Sequence, residues 1–231
     1  MVSLYVDDLI YTGNDEEFCA RFKQSMKKEF EMTDLGKMRF FLGVEVSQNA
    51  NGIHLCQKKY AREVLERFNM WNCNSVKNPI VPGTVLTRED GEDVDPTLYK
   101  QLVGSLMYLT ATRPDMMYVV CLISRYMANP KEKHMQIAKR ALRYLKGTLD
   151  FGLFYRRKIS KLLAYTDSDY ARDVDDRKST SGYVFMLSEA AMCWSSKKQA
   201  IVTLSSTEAE YVAATSCACH CVWVKGVLKQ I

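Results

Sequence analysis

Residues 99–115 read YKQLVGSLMYLTATRPD, a mostly apolar stretch whose helical periodicity stops at a proline. Three such helical patterns follow one another in the chain, at residues 98–110, 115–127 and 131–146. Arg113-Pro114 and Asn129-Pro130 separate them, because a proline does not continue a helix. Three helices with short connections predict a small helical bundle in the middle of the chain.

A hairpin is predicted at the start of the chain. Residues 2–6 and 9–11 are rich in β-prone side chains. They flank Asp7-Asp8, a pair that readily occupies a tight turn. The sequence therefore predicts a hairpin with two carboxylates at its tip. Taken without further context, such a pair is most often only a turn.

A helix and a second hairpin are predicted next. Asn14 and Glu17 have the spacing of a capping box, and large apolar residues recur every four positions behind them. Apolar residues alternate over residues 40–46, and Asn51-Gly52 marks a turn before another β-prone run. A second helical stripe covers residues 60–68. These patterns place hairpins and helices before the bundle.

The periodicity stops over residues 79–97. An acidic run follows Pro82-Gly83 there, which is typical of a linker. Beyond the bundle, short strands are predicted at residues 152–155, 162–166, 182–187 and 192–195, with a helix over residues 207–228 after them. The fold class is therefore predicted to be α+β, ending in a small mixed sheet with one helix.

The composition is that of a globular protein, and neither general disorder nor a membrane-spanning segment is expected. The chain has 231 residues, of which 47% are apolar and 26% charged, as in a globular protein. Its longest strongly apolar run, residues 116–123, is shorter than the roughly 20 residues of a membrane-spanning helix. No secretory signal follows Met1, so a reducing compartment is expected and no membrane partner.

The eight cysteines are better explained as buried thiols than as a disulfide scaffold, since most are scattered singly in apolar patterns. Residues 217–221 read CACHC, and thiolates with an imidazole are zinc ligands. Zinc sites usually space their ligands across a turn, whereas these lie in a helical pattern that points them in different directions. A cysteine-rich helix face is the preferred interpretation.

Basic side chains cluster although the net charge is only +5. One run lies in a helical pattern and contains Lys131, Lys133, Lys139, Arg140, Arg143 and Lys146. A second run contains Arg156, Arg157, Lys158 and Lys161. Phosphate backbones would be attracted to these runs, and we take Lys139, Arg140 and Arg143 as candidate nucleic-acid contacts. A solvated helix face with a charged loop is an equally good explanation.

The aspartate pair acquires a specific context from its neighbours. Tyr5-Val6-Asp7-Asp8 between β-prone runs resembles the polymerase signature of reverse transcriptases. Further stretches resemble the Pol polyprotein of copia-type long-terminal-repeat retrotransposons: DLG at 34–36, FLGVEV at 41–46, the quoted 99–115, AKRALRYLKGT at 138–148, YTDSD at 165–169, STSGY at 179–183 and SSTEAEY at 205–211. The resemblance extends along nearly the whole chain.

The resemblance implies a polymerase site near the start of the chain. Asp7 and Asp8 would hold two Mg²⁺ ions, or Mn²⁺ in their place, for transfer of deoxynucleoside triphosphates to a DNA primer on an RNA template. Phe41, Leu42 and Gly43 would form the grip that seats the primer end. An ordinary sheet strand is the alternative for these three residues.

The resemblance also implies a ribonuclease H site that cleaves the RNA strand of an RNA–DNA hybrid. Asp167 and Glu210 match the first two acidic positions of that family and would be metal ligands. Glu210 falls near apolar positions of the predicted last helix, where a glutamate needs a reason. Asp169 and Glu208 are neighbouring candidates that the resemblance ranks lower.

Four regions follow from this resemblance: a partial polymerase palm at residues 1–78, a linker at 79–97, a helical thumb or connection at 98–150, and an incomplete ribonuclease H-like domain at 151–231. A third polymerase aspartate and the further acidic residues of ribonuclease H are expected in the remaining parts of the Pol polyprotein. The chain is therefore expected to be inactive alone.

The alternative function is a non-catalytic remnant of a decayed element that binds nucleic acid through residues 131–146. Salt-dependent binding without chemistry would distinguish it from an enzyme segment. A retroelement product is expected in the cytoplasm or the nucleus, and copies of such elements also occur in organellar genomes.

Overall fold

The computed structural model describes residues 1–157 and 161–230, and the chain forms two compact units. One unit contains Met1–Met38 and the last residues from Trp223 on, and the other contains Arg39–Val222. Lys158 of the second basic run lies outside the described residues. The fold is mixed α+β, with helices and three small sheets, in agreement with the predicted class.

The first unit begins with the predicted hairpin. Strands β1 (Val2–Tyr5) and β2 (Asp8–Tyr11) pair antiparallel, and Tyr5 is opposite Asp8. Val6 and Asp7 form the turn between them, so the hairpin is confirmed, but its turn lies one residue before the predicted Asp7-Asp8. The side chains of β1 are all exposed.

Helix α1 (Glu16–Glu29) follows the hairpin, and its predicted cap was wrong by one residue. The N-cap is Asp15, whose carboxylate accepts the backbone N–H of Phe18 at 2.9 Å, and not Asn14. Both residue types cap helices well, so spacing alone could not separate neighbours. No residue of α1 is buried.

The second unit opens on a four-stranded antiparallel sheet in the order β3, β4, β5, β6. The strands are β3 (Phe40–Phe41), β4 (Val44–Asn49), β5 (Gly52–Cys56) and β6 (Gly152–Arg156). A single alternating strand over residues 40–46 was wrong. Leu42 and Gly43, with φ of 46° and 73°, form a tight turn, and positive φ at two successive residues suits a two-residue hairpin.

Strand β6 pairs with β5 and not with the strands that follow it in the chain. Leu153 of β6 is opposite Leu55 of β5. The sequence grouped Gly152–Arg156 with the C-terminal strands because they are adjacent in the chain. A partner roughly a hundred residues away leaves no mark in a local pattern.

The predicted helical bundle is confirmed and forms the main core. Its helices are α2 (Lys58–Arg67), α3 (Pro96–Leu109), α4 (Met117–Ser124) and α5 (Glu132–Gly147), with a 3₁₀ turn at Pro114–Met116. Val64, Leu106 and Leu142 are among its fully buried side chains. Burial of these apolar faces stabilises the helices far more than their propensities do.

Arg113 closes this core at the connection between α3 and α4. Its guanidinium is 3% exposed and donates to both carboxylate oxygens of Asp115, at 2.9 and 2.7 Å. It also donates to the carbonyl of Thr148 at 2.9 Å, just beyond α5. Burial raises the pKa of Asp115, but the hydrogen bonds and charge of Arg113 outweigh burial and bring the pKa below its ordinary value.

The segment predicted as a linker contains no helix or strand before Pro96, yet it packs on the core. Leu86 is 3% exposed, and its carbonyl accepts the hydroxyl of Tyr126 at 3.0 Å. His134 of α5, fully buried, stacks on Tyr126 with ring centroids 3.9 Å apart. The segment is therefore held to α5 and is not a free spacer.

The third sheet has the order β7, β8, β9 and is covered by one long helix. Its strands are β7 (Leu163–Ser168), β8 (Thr180–Leu187) and β9 (Ala190–Lys198), and the helix is α6 (Ser206–Leu228). Trp194 of β9 donates its indole N–H to the carbonyl of Thr110 at 3.0 Å, which ties this sheet to the end of α3.

Helix α6 is long and apolar enough to span a membrane by length and composition alone, whereas the sequence predicted no such segment. Ala209, Ala213 and Cys217 form a buried stripe on α6. That stripe at helical spacing is typical of a helix packed on a sheet.

We predict that His134 makes the stability of the fold fall as the pH drops from about 7 to about 5. Burial lowers the pKa of His134 below the ordinary 6.5. Its Nδ1 accepts the backbone N–H of Lys131 at 2.9 Å, and Nε2 contacts the carbonyl of Thr87 at 2.8 Å, so the folded ring is neutral. The unfolded chain takes up the proton first, and stability is lost below pH 6.5.

Urea unfolding at several pH values measures this dependence. His134→Gln should be less stable at neutral pH and should lose less stability on acidification than the wild type. The half-buried His54, changed to Gln, gives a matched histidine variant. An acid-induced loss in His134→Gln equal to that of the wild type would contradict the assignment.

Candidate active site

The structure places Asp7 and Asp8 at the apex of the β1–β2 hairpin, as predicted. Asp7 lies in the turn and Asp8 is the first residue of β2, and both are exposed. Val6 has φ of 50°, which is a strained conformation for a β-branched residue. Such strain costs about 1–3 kcal/mol and tends to occur at functional sites. The turn thus holds two adjacent carboxylates in solvent at the cost of local strain.

The two carboxylates supply the oxygen ligands that a hard cation prefers, but too few of them to hold it. Mg²⁺ prefers oxygen ligands and is commonly held by one or two carboxylates together with substrate phosphates. Within residues 1–157 and 161–230, no group of three or more His, Cys, Asp or Glu side chains could hold a metal ion. A closed metal cage is therefore not formed by the described part of the chain.

The predicted grip residues lie at the turn between β3 and β4. The hydroxyl of Tyr108 on α3 donates to the carbonyl of Leu42. Tyr108 in turn packs edge-on against Tyr60, with ring centroids 4.8 Å apart. Leu42 is 42% exposed, and Phe41 lies in β3. The alternative of an ordinary strand fails at Leu42 and Gly43, because both are turn residues.

No local sequence pattern indicated the role of Tyr108. Gly43 lies so close to its hydroxyl that a side chain at position 43 would collide with it. Glycine is thus required at this position both by its positive φ and by the approach of Tyr108. The turn is fixed on α3 by a contact between residues far apart in the chain.

Asp167 and Glu210 lie on the third sheet and its covering helix. Asp167 is on β7 opposite Gly182 of β8, and Glu210 is in the first turns of α6. Both side chains are exposed. Because strand side chains alternate, Asp167 is on the opposite face of the sheet from Ser168, the residue that contacts Gln199. Gln199 also donates to the carbonyl of Ala209, so α6 covers the Ser168 face.

The expected apolar surroundings of Glu210 are only partly present. The buried stripe of α6 runs through Ala209 and Ala213, whereas Glu210, one position later, is exposed. Burial in an apolar environment therefore gives no reason to choose Glu210 as a functional residue. Glu210 points about 100° away from the buried Ala209, because adjacent helix residues differ by that angle.

The two neighbouring acidic candidates both have structural partners. Asp169 accepts the backbone N–H of Thr180 at 2.7 Å. Glu208 accepts the backbone N–H of Leu204 at 2.6 Å, and its own N–H donates to the hydroxyl of Ser205. Ser205 thus caps the start of α6, while Glu208 reaches back to the residue before that cap. These partners explain Asp169 and Glu208 without a metal.

Of the candidate basic residues on α5, some have structural partners and one is exposed. Arg140 donates to the amide oxygen of Asn78 at 2.5 Å, and Arg143 donates to the carbonyl of Asn74 at 2.8 Å. Both arginines hold the chain after α2 against α5. Lys139 is exposed. Of the three candidate nucleic-acid contacts, two have an evident structural role.

The cysteines of α6 point in different directions, as the spacing indicated. Cys217 is buried and Cys219 is exposed. His220 contacts a thiol from elsewhere, since its Nε2 lies 3.2 Å from Sγ of Cys193 on β9. It also stacks on Tyr183 of β8, with ring centroids 5.2 Å apart. These contacts account for His220 as part of the interface between α6 and the sheet.

Comparisons with known proteins agree with the sequence motifs. A family described as reverse transcriptase (RNA-dependent DNA polymerase) matches residues 1–82. The retrovirus-related Pol polyprotein from transposon RE1 of Arabidopsis thaliana is 39% identical over 230 residues, which cover 99% of this chain and 16% of that protein. The chain therefore spans about one sixth of the length of that relative.

Two relatives are matched over most of their own length. An uncharacterized mitochondrial protein of Arabidopsis thaliana is 36% identical over 222 residues, which cover 95% of this chain and 92% of that protein. A putative transposon Ty5-1 protein of Saccharomyces cerevisiae is 34% identical over 219 residues, covering 93% of this chain and 71% of that protein. No solved structure matches the chain.

We predict that Gly43→Ala destabilises the second unit by about 1–3 kcal/mol, because the new methyl group meets Tyr108 and the backbone keeps a positive φ. Gly83→Ala is the matched control, since Gly83 has φ of 80° with open space around it. Urea unfolding compares the two variants. Equal destabilisation of both would contradict a specific contact between the turn and Tyr108.

Proposed function

The chain belongs to the copia-type family of retrotransposon Pol polyproteins, and on that premise we propose that its first hairpin carries part of the metal centre of an RNA-directed DNA polymerase. It is a reverse transcriptase-like segment of a transposon Pol polyprotein. The observation that carries the proposal is the pair Asp7-Asp8, exposed at the apex of a strained turn. This pair lies inside the residues that match the reverse transcriptase family.

In this proposal Asp7 and Asp8 present hard oxygen ligands toward the primer end and the incoming deoxynucleotide. Mg²⁺ bound there, with Mn²⁺ as a substitute, would neutralise the triphosphate and activate the primer hydroxyl. The remaining ligands would come from other parts of the Pol polyprotein. Two carboxylates by themselves leave an ion with little fixed geometry, so its affinity for the hairpin should be low.

The turn at Leu42 and Gly43 is proposed to seat the end of the primer. The bond from Tyr108 and the absence of a side chain at Gly43 support this role, because they fix the turn while leaving Leu42 partly exposed. A fixed turn with an accessible apolar tip can hold a sugar-phosphate strand in register. In this view Tyr108 is a positioning residue that acts through the turn.

From the resemblance of their motifs, Asp167 and Glu210 are proposed as ligands of a ribonuclease H site for an RNA–DNA hybrid. Alternation along β7 puts Asp167 on the face of the sheet opposite α6, so a shared ion would have to bind at the end of β7, where Asp167 is the next-to-last residue. The structural partners of Asp169 and Glu208 support this choice, since they leave Asp167 and Glu210 as the exposed carboxylates of their motifs. Further acidic residues from the Pol polyprotein would complete the site. The chain alone would then cleave no hybrid.

The regions named from the sequence fit this proposal as a partial palm at 1–78, a connecting segment at 79–97, a helical thumb or connection at 98–150 and a ribonuclease H-like part at 151–231. One adjustment is needed, because β6 pairs with β5. We therefore group Gly152–Arg156 with the sheet of β3 to β5.

We predict that the 231-residue chain binds Mn²⁺ only in the millimolar range and extends no primer. Mn²⁺ should broaden the amide NMR signals around Asp7 and Asp8 first, because paramagnetic relaxation acts on nearby nuclei. Asp7→Asn with Asp8→Asn should abolish this broadening. Glu31→Gln, which removes an exposed carboxylate of the same unit, is the control.

A primer-extension assay on an RNA template, with Mg²⁺ or Mn²⁺, completes the test. No product is expected from the chain alone. Broadening that survives in the Asp7→Asn/Asp8→Asn variant would refute the metal assignment. Extension that depends on Asp7 would instead refute the idea that the site is incomplete.

A further inference from the structure

A cleft lies on the sheet of β3, β4 and β5 beside the first turn of α2. Its volume is about 460 Å³, and it is lined by Arg39, Phe40, Glu45, Val46, Ser47, Cys56 and Lys59. We propose that this cleft binds a single strand of nucleic acid, with cations on its phosphates and an aromatic ring under a base. The inference deepens the proposed function, on which it rests for the choice of a nucleic-acid strand as the ligand.

The floor of the cleft is set by strand register. Phe40 of β3 is opposite Glu45 of β4, and Glu45 is opposite Cys56 of β5. Residues that pair across antiparallel strands point to the same face, so these three side chains form one row. The ring of Phe40 is 57% exposed at the end of this row. It therefore offers a flat apolar surface inside the cleft.

Two cationic side chains, Arg39 and Lys59, line the sides of the cleft. Arg39 extends the sheet beyond β3, because its carbonyl accepts the backbone N–H of Val46 at 2.8 Å. Lys59 is in the first turn of α2. Both side chains are exposed, and among residues 1–157 and 161–230 neither makes an ion pair. The neighbouring Lys58 differs, since it pairs with Asp150 at 2.5 Å.

The carboxylate of Glu45 caps the N-terminus of α2 beside the cleft. Its Oε1 accepts the backbone N–H of Lys59 at 2.7 Å, at a helix N-terminus that has no side-chain cap from its own N-cap residue. A carboxylate is favourable there because the helix dipole places partial positive charge at its N-terminus. With two cations and one carboxylate, the cleft keeps a net positive charge for a phosphodiester.

The combination of groups favours a nucleic-acid strand over an acidic peptide. Cations alone would attract either ligand, but an exposed aromatic ring beside them adds stacking, which every base can use. Stacking on an aromatic side chain contributes about 1–3 kcal/mol per base and needs no particular sequence. Phe40 is thus the residue whose effect separates the two ligand classes.

The test measures fluorescence anisotropy of a fluorescein-labelled oligothymidylate with the full chain. Arg39→Gln and Lys59→Gln should each weaken binding about fivefold and lower the slope of log affinity against log salt by about 0.7, the contribution of one phosphate contact. Lys100→Gln, an exposed lysine on α3 outside the cleft, should leave both unchanged.

Two further variants sharpen the test. Phe40→Ala should weaken binding of oligothymidylate about tenfold but leave an abasic strand of the same length unaffected. Phe40→Leu checks that any loss does not come from unfolding, since it keeps apolar packing. Glu45→Gln keeps an oxygen acceptor for the Lys59 N–H and removes one negative charge, so it should tighten binding about twofold.

The outcomes separate the cleft from its rivals. An unchanged affinity in the Arg39 and Lys59 variants, with a loss in Lys139→Gln, overturns the cleft in favour of the α5 surface. Equal losses of both strands in Phe40→Ala, or displacement by polyglutamate at equal charge, overturn the base-stacking assignment. Each of these results would refute the cleft without bearing on the metal proposal. The metal proposal is tested separately, by the Asp7 and Asp8 variants.

Discussion

The helical core depends on the buried guanidinium of Arg113, which pairs with the partly exposed carboxylate of Asp115. Taking a guanidinium out of water costs several kcal/mol unless its donors are paired, and here they are paired with Asp115 and Thr148. One side chain thereby joins the connection between α3 and α4 to the end of α5. β6 begins shortly after Thr148, so this contact lies close to the point where the fourth strand pairs with β5.

The proposed catalytic carboxylates lie in solvent and not in buried surroundings like those of Arg113. Asp7, Asp8, Asp167 and Glu210 are all exposed, and neither the two strands beside Asp7 nor the strand that bears Asp167 contains a buried side chain. Exposure suits ligands that must meet a metal ion and a phosphate chain. It also means that their geometry depends on what they bind, in contrast to the rigid core around Arg113.

The sequence predicted the elements that depend on local pattern and missed those that depend on distant partners. The bundle and the Asp7-Asp8 hairpin follow from periodicity and turn chemistry. The turn at Leu42 was missed because alternating apolar residues resemble a continuous strand. The pairing of β6 and the tasks of Arg140 and Arg143 could not be predicted, because each involves residues more than sixty positions away.

The most direct test of this account is residue-resolved amide hydrogen exchange of the wild type and of Arg113→Met. Amides of α3 and α5 should be the slowest in the wild type and should lose about 1–3 kcal/mol of protection in the variant, because the change removes the buried donors that join Asp115 to Thr148. Amides of β1 and β2 should exchange rapidly in both proteins. Unchanged protection of α5 in the variant, or hairpin amides as slow as those of α3, would contradict the account.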